Sequence, residues 1–496
     1  MNDKAILSKS TFLKGLQCDK HLYLYKHHYN WQDKVSEQQQ AIFDRGHNVG
    51  HLAQQLFPDG ADSSPSNPRA YSQALDYTIE LIENGTNVIY EAAFMYNEVL
   101  VYADIIVKNG NKWKVYEVKS STSVSETNIN DISVQYYVMS NCGLEIEDIS
   151  IIYINNEYIR FGELDLSQFF KVESLLPFAI ENMDWIDEEV ERLKSVVLQK
   201  EIPNIDIGLH CSDPYQCSFI GHCWNHIPEN SVFDISRMHL TRKFELYDSG
   251  IISLDDIPDE FILPSSQQLQ LYSYKTGETI INSAAIESYL STFDYPLYFM
   301  DFESFQPAVP AFDNSRPYQQ IPFQYSLHYQ KSKQSKLEHK EFLAETGVEP
   351  RISFLKNLLE DTKSVGKIIV YNKSFEIMIL NSIATDFPEF SKEIDELIDR
   401  IIDLMIPFQK KWYYAPEMHG SYSIKKVLPA LVPELSYEGL NISDGGSASL
   451  AFENLLHEKD MFIIEETRKN LLEYCKLDTF AMVEILNKLF EISKIN

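Results

Sequence analysis

A chain of 496 residues is longer than one hydrophobic core usually serves, so two or three domains are expected. Its 73 acidic against 43 basic side chains give a formal net charge of −30, which argues against nonspecific coating of duplex nucleic acid. It leaves room for an enzyme, because bound metal ions or a narrow basic groove reverse the charge locally. No apolar run is long enough to cross a bilayer, and Met1-Asn2-Asp3-Lys4-Ala5 lacks the features of a secretory signal. A cytoplasmic protein without a membrane partner is therefore expected.

Residues 1–40 read as helical and basic-aromatic, with Ser8 placed to cap the helix that carries Phe12. Strand signals follow at 87–94, 98–107 and 113–118, the last two joined by the hairpin signal Lys108-Asn109-Gly110-Asn111. The pattern then predicts a helix over 131–141, a strand over 149–154 and one long amphipathic helix over 172–200. Short helices and turns are expected from 227 to 294. There Leu246-Tyr247-Asp248-Ser249-Gly250-Ile251 suits a plain connector and also resembles a helix-hairpin-helix turn. A second α/β region opens at Tyr295, with strands over 324–329, 340–343 and 367–371 and helices over 349–361, 375–384 and 468–492.

Two sets of carboxylates stand out. Asp104 lies on one hairpin strand, and Glu117 and Lys119 lie on the next, where a spacing of two puts both on one face. Two carboxylates can bind Mg²⁺ or Mn²⁺, and a cation beside them can position water or neutralise a pentavalent transition state. An exposed, salt-bridged strand produces the same acid-x-Lys pattern. With its flanking features the stretch resembles the RecB-like branch of the PD-(D/E)XK nucleases. That resemblance implies a restriction-endonuclease-like fold, Asp104 and Glu117 as metal ligands, Lys119 assisting the water and Gln135 orienting substrate from the next helix. Where relatives carry Tyr four residues after that Gln this chain has Met139, with Tyr136 or Tyr137 as substitutes. Glu91 would be a secondary ligand. His47 or His51 would be the upstream histidine of the branch, or else an ordinary surface or capping residue.

Six cysteines occur, and stable disulfides are not expected in a cytoplasmic chain. Cys211, Cys217 and Cys223 fall in one short window, a metal-site signature, and Cys18 is the candidate fourth ligand. Their order is similar to the iron–sulfur staple of RecB-family nucleases, a resemblance over roughly residues 6–225 that implies a structural [4Fe–4S] cluster. Tetrathiolate Zn²⁺ and unrelated buried thiols are the alternatives. Cys142 and Cys475 read as core residues.

The second set is Asp301 and Glu303, again two apart on a strand, with Tyr474 and Asp478 one helical turn apart near the C-terminus. This arrangement resembles the DnaQ-like exonucleases of the DEDD type, in the variant with Tyr. The resemblance implies a ribonuclease H-like domain over 295–492, four acids holding two metals, and Tyr474 aligning the attacking water. Glu376, after Asn372 in Tyr371-Asn372-Lys373-Ser374-Phe375, stands where Asp is usual, and Asp403 is the runner-up ligand. Gly445-Gly446 reads as an ordinary turn, or as a loop near substrate.

The expected architecture is thus α+β: a nuclease domain over 1–226, a helical connector over 227–294 and a second nuclease domain over 295–496. The expected function is metal-dependent hydrolysis of nucleic-acid ends, single-stranded DNA before RNA, in repair, recombination or defence. The rival is a nucleic-acid-binding protein with one active site or none, in which the cluster is structural.

Overall fold

The computed structural model describes residues 6–67 and 70–494 and has an α+β architecture with two mixed sheets and a two-stranded ribbon. Contacts divide the chain into two compact units. The first is the stretch through His226 together with Ala308–Tyr318; the second is Ile227–Pro307 together with Gln319–Asn496. The residues expected as a connector therefore belong to the second unit. Among the described residues no helix is long and apolar enough to cross a membrane.

The first unit opens with β1 (Leu7–Ser8), α1 (Lys9–Gln17), α2 (Asp19–His27), α3 (Glu37–Gln54), β2 (Ala61–Asp62) and α4 (Tyr71–Glu83). It continues with β3 (Val88–Tyr96), β4 (Val99–Asn109), β5 (Lys112–Lys119), α5 (Glu126–Asn141) and β6 (Ile146–Ile154). It closes with α6 (Leu166–Phe169), β7 (Phe170–Ser174), α7 (Leu176–Glu181), α8 (Met183–Val197) and α9 (Ile220–Cys223). The sheet order is β2-β3-β4-β5-β6-β7, with β1 parallel to the start of β4. Gly110, at φ +62°, makes the predicted β4–β5 turn, a conformation that only a residue without Cβ adopts freely.

Among the described residues the expected N-terminal helices are preceded by a two-residue strand, Leu7 and Ser8 pairing with Val99 and Leu100 before Ser8 caps α1 as expected. One expectation for this unit needs correction: the long helix over 172–200 is split into β7, α7 and α8. Residues 170–174 find ladder partners on β6, such as Tyr153 opposite Lys171, and Pro177 then opens a new helix. On one face of the sheet Val115, Ile149 and Ile151 pack against Val134 and Val138 of α5 and Val190 and Leu193 of α8. On the other, Ile105, Ile152 and Ile154 pack with Val49 and Ala53 of α3, Phe169, and Ala308 of the later segment.

The second unit begins with α10 (Leu240–Asp248), α11 (Ser265–Thr276), β8 (Ile280–Ile281) and α12 (Ser283–Leu290). Then come β9 (Leu297–Phe305), β10 (Ile321–Gln330), β11 (Glu338–Leu343), α13 (Arg351–Asp361), β12 (Lys367–Val370) and α14 (Ser374–Asp386). The rest is α15 (Ser391–Ile398), β13 (Ile401–Asp403), α16 (Ile406–Gln409), β14 (Tyr413–Tyr414), α17 (Ile424–Leu431), α18 (Gly445–Leu455) and α19 (Met461–Ile492). The sheet order is β11-β10-β9-β12-β13, with β10 antiparallel to both neighbours and β12 and β13 parallel to β9. Alternation along β9 sends Tyr298, Met300 and Phe302 into the core with α13, α14 and α15. Leu297 and Phe299 go to the opposite core, with α12, α17 and α19. The same alternation carries Asp301 and Glu303 onto the α19 side.

Candidate metal centres

The first site is assembled from three adjacent strands. The ladder pairs Tyr90 with Ile105 and Ala92 with Ala103, so Glu91 and Asp104 stand opposite one another; Ile105 opposite Tyr116 likewise sets Asp104 across from Glu117. Three carboxylates thus share one level of the sheet. Regular alternation fails there: the core-facing residues are Ile89, Ala92 and Phe94 on β3, and Val101, Ala103 and Ile106 on β4. Each strand slips by one residue at its acid. Glu91 has φ +53°, a strained conformation for a non-glycine residue. Released from the ladder, Asp104 Oδ2 accepts the backbone N–H of Val118 at 2.6 Å.

Glu117 is buried, and Oε1 accepts from Lys119 Nζ at 2.5 Å and Lys9 Nζ at 2.7 Å. Its other oxygen, Oε2, accepts from Gln135 Nε2 at 2.8 Å. The same two lysines reach Asp131, one turn before Gln135, at 2.6 and 3.2 Å. Lys9 and Asp131 were not singled out in the sequence. Burial first, then Glu117, pushes the Asp104 carboxyl up to about 8 and Glu91 up to about 7. Asp131 goes the other way: against burial, Lys119 and Lys9 hold it well below the usual carboxylate range. His47 and His51 lie exposed on α3, outside this network, and Tyr137 turns away to bond Asp187 at 2.5 Å. Met139 is a core residue.

The second site joins β9, α14 and α19. Ligand atoms of Asp301, Glu303 and Cys475 lie within 4.8 Å of one another. Burial, then Asp478, raises Asp301 well above the usual range; burial, then Asp301 and Asp478, does the same to Glu303. Burial and then Asp301 raise Glu376 likewise, and its buried Oε2 has no hydrogen-bond partner. Asp478 is pushed only to about 6: burial raises it, while hydrogen bonds from Tyr437 (2.6 Å) and Tyr474 oppose the rise. Lys425 is the cation facing Glu303 and Asp478. Gly445 opens α18, and a Cβ there would sit 3.5 Å from Glu303 Oε2.

Asp403 is engaged elsewhere. Its carboxylate accepts the backbone N–H groups of Asn372 (3.0 Å), Lys373 (3.3 Å) and Met405 (3.0 Å), holding the turn from which Glu376 enters. Tyr437 had no signal in the sequence. Cys475 is buried in the core as expected and also stands beside the acid pair, with Sγ 3.6 Å from Asp301 Oδ2. Cys142, the other presumed core thiol, is exposed, because α5 ends there, and its thiol donates to Met95 O at 3.3 Å.

The four remaining thiols are all free and line one pocket with His21, Leu24, Ile207 and Phe219. Burial pushes Cys217 up to about 12, with Cys18, Cys223 and Cys211 adding to the rise, so the four face one another. Gln17 ties the two stretches together, donating to His210 O (2.9 Å) and Tyr215 O (2.6 Å), while its Oε1 meets His21 Nδ1 at 3.0 Å.

Residues 298–423, about a quarter of the chain, match a family described as a domain of unknown function (DUF2779). The match takes in Asp301, Glu303, Glu376 and Asp403. Two curated relatives are also similar. One is the uncharacterized protein UU173 of Ureaplasma parvum serovar 3, 27% identical over 262 residues, covering 45% of this chain and 35% of that protein. The other is the uncharacterized protein MG366 of Mycoplasma genitalium, 25% identical over 219 residues, covering 40% of this chain and 32% of that protein. The chain thus spans about a third of the length of the curated relatives it matches.

Proposed function

We propose that this chain is a metal-dependent nuclease acting on single-stranded nucleic-acid ends, DNA before RNA. The observation that carries the reading is the second site: Asp301, Glu303, Glu376 and Asp478 come from three elements to one buried place where their charges repel. Such a set is unstable as anions alone and suits divalent cations, and the unpartnered Glu376 oxygen fits the same purpose. Bound Mg²⁺ or Mn²⁺ would supply Lewis acidity to a phosphoryl oxygen and acidify a coordinated water. Tyr474, donating to Asp478, would align that water, and Lys425, which faces Asp478, would meet the phosphate charge. The strand order, with β9 central and β10 reversed, agrees with a ribonuclease H-like layer.

In the first site the raised Asp104 and Glu91 suit a cation as well, with Lys119 beside the water and Gln135 toward substrate. Both oxygens of Glu117 are already engaged by Lys9, Lys119 and Gln135, which favours a second reading: only the second site cleaves and the first grips the strand.

The four thiols fit a [4Fe–4S] staple better than Zn²⁺. Four thiolates on one Zn²⁺ stand about 3.8 Å apart. Among the described residues no three of these sulfurs lie within 4.8 Å of one another, yet all border one cavity.

Cleavage of end-labelled single strands with Mn²⁺ tests the whole. Asp301→Asn should lower it about a hundredfold or more. Equal loss in Lys119→Ala supports two catalytic sites, and retained cleavage with weakened strand binding supports one. No metal-dependent cleavage by the intact chain removes the proposal.

A further inference from the structure

The thiol of Cys475 has no place in a site built only for hard cations. It sits on α19 between Tyr474 and Asp478, fully buried, on the face turned to β9, where it also lies 3.8 Å from the backbone oxygen of Asp301. Its sulfur lies 3.6 Å from Asp301 Oδ2, and it forms one ligand group with Asp301 and Glu303. A tetrahedral ion with a sulfur ligand at about 2.3 Å and an oxygen ligand at about 2.1 Å sets those two atoms roughly 3.6 Å apart. In the metal-free chain the thiol donates to Asp301 Oδ2 across this distance, and the same spacing suits two ligands of one ion. Independently, the buried, unpartnered Oε2 of Glu376 belongs to the carboxylate facing Asp301 and offers a further donor. Carboxylates alone favour Mg²⁺ or Mn²⁺; adding a thiolate shifts the preference to a softer divalent ion.

We infer that Asp301, Glu303 and Cys475 form a mixed carboxylate–thiolate site that selects a borderline transition cation of the Zn²⁺ class over Mg²⁺. The inference rests on the reading of Asp301 and Glu303 as metal ligands and adds the identity of the cation. The bland account, a small buried residue whose thiol donates to Asp301, predicts that a side chain of similar size and donor capacity, such as serine, serves equally.

Cadmium and manganese titrations of the full-length protein, with its cysteine cluster in place, separate the accounts. Cd²⁺ is the soft probe, read by its sulfur charge-transfer absorption as a difference spectrum against Cys475→Ser; Mn²⁺ is the hard probe, read by its paramagnetic signal. The wild-type chain should show one more thiolate-bound Cd²⁺ than Cys475→Ser. The variant should lose about tenfold or more in Cd²⁺ affinity at this site, with Mn²⁺ affinity nearly unchanged. Cys475→Ala should behave the same way. Equal Cd²⁺ binding and equal spectra in wild type and both variants would overturn the inference while leaving the carboxylate site standing. Undiminished Mn²⁺ binding in Asp301→Asn would instead remove the metal reading itself, and the inference with it.

Discussion

Lys9 Nζ lies 2.7 Å from Glu117 Oε1 although 108 residues separate the two in the chain. The contact exists because β1 runs parallel to the start of β4 and delivers α1 to the level of the acids. Removing the cation leaves Glu117 and Asp131 buried with one lysine between them. Lys9→Met should therefore cost about 2–4 kcal/mol of stability, and Lys9→Arg distinctly less. Urea midpoints of the three proteins check this. An unchanged midpoint in Lys9→Met would show that Lys119 alone balances the pair.

Asp301 presents the opposite case. Its burial among like charges makes the carboxylate a destabilising group in metal-free protein. Asp301→Asn should raise the melting temperature of metal-free protein and abolish the stabilisation that Mn²⁺ gives the wild type. Thermal scans with and without the ion provide the measurement. A lower melting point for the metal-free variant would contradict the stored repulsion.

Asp403 and Glu376 should part company on the same assay. Asp403→Ala strands backbone N–H groups of the 372–373 turn and should lose about 1–3 kcal/mol. Glu376→Gln breaks no hydrogen bond at Oε2, so it should fold as well as wild type while weakening Mn²⁺ binding.

His328 predicts an acid limb in the stability curve. Burial, then His339 and Lys476, pushes it down to about 3, and its Nδ1 meets Thr479 Oγ1 at 2.8 Å. The unfolded chain takes up this proton near pH 6.5, the folded chain only near 3. The contribution is complete above pH 6.5 and falls through the interval below it, by at most about 1.4 kcal/mol per pH unit. His328→Gln should flatten the fall in urea midpoint between pH 7 and 5. An unchanged slope would assign the acid limb to other groups.

Spoiling Cys217 tests the staple directly. Anaerobically purified wild type should be brown and carry iron, while Cys217→Ser should be pale and unfold its first unit earlier. A colourless, iron-free, zinc-bearing wild type would replace the cluster with a single ion.

What the sequence disclosed was periodic. Spacing by two put Glu117 with Lys119 and Asp301 with Glu303 on common faces, and spacing by four did the same for Tyr474 and Asp478. Hairpin chemistry at Asn109-Gly110 fixed the β4–β5 register that sets Asp104 across from Glu117. What stayed hidden depends on tertiary contact: Lys9, Asp131 and Tyr437 carry no local pattern, since ordinary surface residues look the same in one dimension. Cys475 lies in the core as expected, and only the α19–β9 approach reveals the acids next to it. The division of 172–200 turned on pairing with β6, which no helical periodicity encodes.

The segment Ala308–Tyr318 gives the chain an unusual itinerary. Between β9 and β10 it leaves the second unit, contributes Ala308 and Val309 to the core under Ile105, lets the Tyr318 hydroxyl donate to Ser120 O just past Lys119, and returns. Neither half of this protein is therefore contiguous in its gene. A fragment stopping at His226 lacks eleven residues of its own interior, so neither recombination nor truncation at one point can set the two halves free intact.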